Sequence, residues 1–264
     1  MPSIRTLAAV LAAGTVLAAC GEPEILLPGE RLDLRPEQSA DQGEVVNRTA
    51  PLSLPPARAN ADWTHRNGSA AHTIAHPALD RTLTPSWSVK IGEGNGRSHR
   101  LTADPVVASG RIFTLDSRAT VTAVTTSGAV LWSRDLTPQG ERPDEASGGG
   151  IAAGPGVISV TTGFGELTAL DAATGAERWR QDLQSAATGA PTVSGGVVYA
   201  VTRNAVGWAI DADTGRILWQ TLGTPSPSGI AGGPSPAIAG PLVLFPMPSG
   251  QLIAAVSGPG TAAW

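Results

Sequence analysis

The chain's one cysteine, Cys20, closes an uncharged run of small and apolar residues, Leu7–Ala19. A lone thiol forms no internal disulfide and no cysteine-rich metal site. The run follows Arg5 and is too short to span a bilayer, so residues 1–19 read as a signal peptide. The ending Leu17-Ala18-Ala19-Cys20 has the form of a bacterial lipobox, in which cleavage precedes a cysteine that then carries lipid. Each acyl CH₂ buried in a bilayer contributes about 0.8 kcal/mol, so several chains on Cys20 would anchor the protein almost permanently. His65, His72 and His76 form a second cluster. His72-x-x-x-His76 would set two imidazoles on one helical face as metal ligands, but Pro77 ends such a helix and no Glu lies between them. Gly92-Glu-Gly94-Asn-Gly96 lacks the Lys-Ser/Thr and the strand–helix setting of a phosphate loop. No metal site, cofactor site or catalytic residue is expected from these groups.

The elements around these residues are short strands. Gly (32) and Pro (22) together fill a fifth of the 264 residues, which excludes a mostly helical chain. An apolar fraction of 41% is enough for a packed core. The net charge of −4 and the scattered basic residues argue against nucleic acid. Residues 20–60 are rich in Pro and Glu without an apolar period, and read as a lipidated tether before a domain at 61–264.

That domain repeats itself. Ala169-Leu-Asp171-Ala-Ala-Thr174-Gly175-Ala-Glu-Arg-Trp179 matches Ala209-Ile-Asp211-Ala-Asp-Thr214-Gly215-Arg-Ile-Leu-Trp219, both fitting A-x-D-x-x-T-G-x-x-x-W. Weaker copies end at Trp132 and Trp264, and Trp87 keeps only the end of the pattern. These Trp residues are 45, 47, 40 and 45 positions apart. Each unit reads as four strands, in the third unit Pro191–Ser194, Val197–Thr202, Ala205–Asp211 and Ile217–Thr221. Gly195-Gly196 suits a hairpin, and Asp213-Thr214-Gly215 a turn with positive φ at Gly. Gly148-Gly149-Gly150 reads as an inter-blade loop. A four-stranded unit at this period is an all-β propeller blade, with each Trp wedged against the next blade. Asp171 and Asp211 are expected to brace turns, since equivalent positions in successive blades do not share a metal.

These repeats resemble the tryptophan-docked units of quinoprotein-like propellers. With the lipobox and tether, and the stretches 60–77 and 85–94, the chain resembles the BamB family of outer-membrane β-barrel assembly lipoproteins. The resemblance implies eight blades, of which about four are visible. Eight units near 44 residues need about 350 residues, and 61–264 supplies 204, so a truncated chain is expected; a closed four-bladed ring is the alternative. It also implies a non-catalytic lipoprotein scaffold that contacts the barrel-forming subunit, and through exposed sheet edges unfolded outer-membrane proteins. Gly21 in place of Asp after Cys20 favours the outer membrane of a Gram-negative cell, facing the periplasm. The partner loop of the family falls at Ser228, Ile230 and Ala231, with Ala231 where relatives carry Arg. Related quinone-dependent dehydrogenases often use an adjacent Cys pair, which this chain lacks. Such an enzyme, or an adaptor for another envelope complex, is the competing reading.

Overall fold

The computed structural model describes residues 51–227, 229 and 232–264. The leader at 1–19, Cys20 and most of the 20–60 tether lie outside the described residues, as do Ser228, Ile230 and Ala231.

Four antiparallel sheets follow one another along the chain. The first holds β1 (Val106–Ala108), β2 (Arg111–Leu115), β3 (Thr120–Thr125) and β4 (Val130–Asp135). The second holds β5 (Gly149–Gly154), β6 (Val157–Thr162), β7 (Glu166–Asp171) and β8 (Glu177–Asp182). The third holds β9 (Thr192–Ser194), β10 (Val197–Val201), β11 (Val206–Asp211) and β12 (Ile217–Leu222), each within one residue of its expected bounds. The fourth holds β13 (Ala237–Ala239), β14 (Leu242–Pro246) and β15 (Leu252–Val256), with a bridge from Ala255 to Ala262 where a fourth strand would lie. The described residues contain no helix. These are propeller blades, each strand pairing with its sequence neighbour.

Inner and outer strands differ in the way their residues dictate. β1 lies against β5 and β5 against β9, so the first strand of each blade is innermost. β6, Val-Ile-Ser-Val-Thr-Thr, is buried along its whole length, because a blade covers each of its faces. β4, β8 and β12 form exposed outer edges. Three apolar cores fill the three spaces between successive blades. Phe113, Val121, Ile151 and Ile158 lead the first. Leu167, Val198 and Trp208 lead the second, and Tyr199, Val243 and Phe245 the third.

The glycines at 149 and 150 correct the sequence expectation. They are buried residues of β5 and not an inter-blade loop. A Cβ on Gly149 would strike the Thr161 carbonyl, and one on Gly150 would lie 2.5 Å from the Ala190 side chain. Close approach of inner strands, and not mobility, requires glycine here. Thr161 closes this junction, since its hydroxyl accepts from the Gly150 N–H and donates to the Gly189 carbonyl. Gly195 and Gly196 have φ of 59° and 77°, the paired positive values of a tight hairpin turn.

Candidate functional site

The repeat motif sets an indole on a glycine of the following turn four times over, and in two of these turns an aspartate braces the glycine. Asp171 Oδ1 accepts from the N–H groups of Ala173 and Thr174 and from the Thr174 hydroxyl. Asp211 does the same with Asp213 and Thr214. Each turn ends on a glycine at positive φ, Gly175 at 71° and Gly215 at 72°. The preceding blade's indole lies flat on that glycine. A Cβ on Gly175 would sit 2.6 Å from the Trp132 ring, and one on Gly215 2.7 Å from the Trp179 ring. The Trp132 and Trp179 Nε1–H groups then donate to the carbonyls of Ala172 and Ala212. Trp87 repeats the arrangement on Gly128, donating to the Thr126 carbonyl. Trp219 covers Gly260, with no acceptor for its Nε1–H among the described residues. Trp264 is 65% exposed.

Small residues make room for these rings. Ala123, Ala169 and Ala209 pair directly across from Trp132, Trp179 and Trp219, and a bulge follows each pair. Each aspartate spends its Oδ1 on its own turn. Arg178, donating to Asp171 Oδ2 at 2.7 Å, and then the Thr174 hydroxyl hold the Asp171 carboxyl down at about 2. The Thr214 hydroxyl leads the lowering of Asp211. Both carboxylates are half-buried turn braces, in separate blades.

A second feature joins all four blades. Residues Asp62–Ala70 run across the inner strands. The Trp63 and Val107 backbones exchange hydrogen bonds in blade one. The Thr64 carbonyl accepts from Ala153 N–H in blade two, and the Ala70 carbonyl from Ile238 N–H in blade four. In blade three the acceptor is a side chain, His65 Nε2, 2.9 Å from the Val193 nitrogen. That contact fixes the tautomer: Nε2 carries no proton, so Nδ1–H donates to Thr64 Oγ1 at 2.8 Å. His65 is 4% exposed. Burial, and then the charge of His72, hold its pKa down to about 4, so the ring is neutral at pH 7. Arg66 pairs with Asp104 and donates to the carbonyls of Gly232 and Gly233. Beside the segment lies a cleft of about 730 Å³, reached by Asp62, Thr64 and His65 and by the hairpin turns at Ser109, Gly156 and Gly195.

The other histidines are dispersed. His72 and His76 lie on non-helical chain, and His76 is spent on the Pro55 carbonyl at 2.6 Å. His99, which the sequence did not single out, is buried beside Ser117 with Nδ1 and Oγ 2.9 Å apart. Its Nε2 accepts from Arg118, so Nδ1 donates to Ser117, and Ser117 donates to the Glu93 and Gly94 carbonyls. A serine nucleophile needs the opposite polarity, with the imidazole accepting its proton. This network ties the 92–99 segment to the β2–β3 turn.

Comparison with known proteins agrees with this architecture. A family profile described as outer membrane protein assembly factor BamB matches residues 117–264. An outer membrane protein assembly factor BamB from Moranella endobia is 28% identical over 172 residues, covering 62% of this chain and 44% of the relative. A quinohemoprotein alcohol dehydrogenase from Comamonas testosteroni is 33% identical over 164 residues, covering 55% of this chain and 22% of the relative. The crystal structure of BamB from Moraxella catarrhalis superposes with a TM-score of 0.52 at 24% identity, covering 62% of this chain and 48% of that one, and shows the shared fold. The chain spans less than half the length of these proteins.

Proposed function

The chain belongs to the family described as outer membrane protein assembly factor BamB, and from that premise we propose that it is a non-catalytic scaffold for the assembly of outer-membrane β-barrel proteins. It is anchored through lipid on Cys20 to the periplasmic face of the outer membrane. It works by protein–protein contact, with the barrel-forming subunit as its direct partner and unfolded outer-membrane proteins as further ones. The observation that supports a scaffold most is the axial segment. Residues Asp62–Ala70 join the inner strands of four blades, while indoles lock the outer parts blade to blade. Such a body presents loops at fixed spacing, which suits docking at several points. Ser228, Ile230 and Ala231 are the residues assigned to contact with the barrel-forming partner.

The quinohemoprotein relative favours a second reading, a periplasmic quinone-dependent dehydrogenase. The residues on the axis do not fit a quinone cradle. Asp62 accepts from Ser109, both His65 nitrogens are engaged and Arg66 is paired. Co-purification separates the readings. From crosslinked membranes, the barrel-forming subunit is expected to accompany the protein. Its clean absence, together with quinone-dependent dye reduction by the purified protein, would overturn the scaffold reading.

A further inference from the structure

We propose that the strap formed by residues 54–58 and 74–83 is a membrane-contact surface, taking the headgroup region of an anionic lipid bilayer as its ligand. The proposal rests on the lipid-anchor reading of Cys20. A two-way clip holds the strap together. Arg58 N–H donates to the His76 carbonyl, Ala78 N–H donates to the Arg58 carbonyl, and His76 Nδ1 bonds the Pro55 carbonyl. This clip sets Ala57 beside Ala78, Leu79 and Asp80. The strap turns apolar residues to solvent: Leu54, Ile74, Leu79 and Leu83 are 56%, 57%, 73% and 68% exposed. Leu52, Val130, Leu222 and Trp264 are also more than half exposed, but the strap carries four such side chains within one clipped pair of segments, and grouped exposed apolar side chains mark an interaction surface.

Charge and chain order point to lipid as the occupant. The guanidinium groups of Arg58 and Arg81 are exposed and make no ion pair among the described residues, with Asp80 the one acidic neighbour in the strap. In a chain of net charge −4, this is a local cationic apolar surface. Leucine and isoleucine among arginines are the composition that seats in the headgroup boundary of anionic membranes. Leu54 also opens the compact unit Leu54–Trp264, so the strap begins at that unit's first residue, 34 positions after Cys20 in the sequence. Acylation supplies one membrane signal and the strap a second, weaker one whose local concentration the anchor raises.

The test uses the full chain carrying Leu79→Cys, expressed with its own leader and placed in phosphatidylethanolamine/phosphatidylglycerol vesicles. Cys20 is the only native cysteine, so a polarity-sensitive dye on position 79 reports the strap once Cys20 is acylated. The same dye on Ser249→Cys, at an exposed turn of blade four, is the control. Spin-labelled lipid is expected to quench the dye at 79 at least about threefold more than at 249, and Leu54→Asp with Leu83→Asp to abolish the difference. Melting of the double variant, expected to be unchanged because both sites are exposed, shows that folding is intact. Equal quenching at 79 and 249, or shielding at 79 only after adding a partner protein, overturns the proposal. Mass spectrometry reads Cys20 separately. An unmodified thiol there sinks the anchor reading, while an acylated protein with an unquenched strap sinks this one.

Discussion

Trp179→Ala is expected to lower unfolding stability by about 4 kcal/mol, the range for deleting a large buried aromatic. The indole is 9% exposed and belongs to the core between blades two and three. It covers Gly215, and its Nε1–H satisfies the Ala212 carbonyl at 2.8 Å. Alanine removes the ring contacts, opens a cavity and strands that carbonyl. Trp179→Phe keeps a ring on the glycine and loses the hydrogen bond, so it should cost about 1–2 kcal/mol. The reverse change agrees with this geometry. Gly215→Val would place a branched side chain at φ 72° and into the indole. Urea unfolding of the three variants checks the joint. A loss below about 1 kcal/mol for Trp179→Ala would show that the indole is not a structural wedge.

Acid is expected to loosen the axial segment before it touches the turns. The neutral form of His65 is the one that accepts from Val193, and its pKa falls from 6.5 to about 4 on folding. The unfolded chain therefore binds the proton more readily than the folded one. The stability that this group contributes is fully present above pH 6.5 and is lost as pH falls from 6.5 toward 4. The shift corresponds to about 3 kcal/mol across that window. His72, lowered by burial and then by Arg66, adds to the loss in the same direction. Asp171 acts lower down, between 3.8 and about 2. Replacing His65 with Gln keeps an acceptor and removes the titration. Its urea midpoint should therefore vary less between pH 7 and 4 than that of the unaltered protein. Equal pH dependence in the two proteins would remove His65 from the account.

Much of the fold was legible because the repeat writes its own local chemistry. Asp, Thr and Gly at fixed offsets specify a turn, and the Trp after them specifies what the next glycine must carry. Those contacts recur within one repeat length, so self-comparison exposes them. Gly149 and Gly150 were misread because a glycine run has two physical meanings, freedom or crowding, and only neighbouring strands decide between them. The axial segment was invisible for a different reason. His65 meets Val193 across 128 positions, and Arg66 meets Gly232 and Gly233 across 166 and 167. No periodicity links them. The sequence offered a group of histidines, and the fold spent His65 on a hydroxyl and an amide and His76 on a carbonyl, while His72 Nε2 is buried without a hydrogen-bond partner among the described residues. His99 carried no motif at all, and its role follows only from the β2–β3 turn beside it.

The most direct measurement is the yield of folded outer-membrane barrels in cells lacking this gene, read as heat-modifiable bands in their membranes. The scaffold account predicts a lower folded fraction, restored by the unaltered gene. Undiminished barrels in the deleted cells, with pyrroloquinoline-quinone-dependent oxidation by the purified protein, would contradict it.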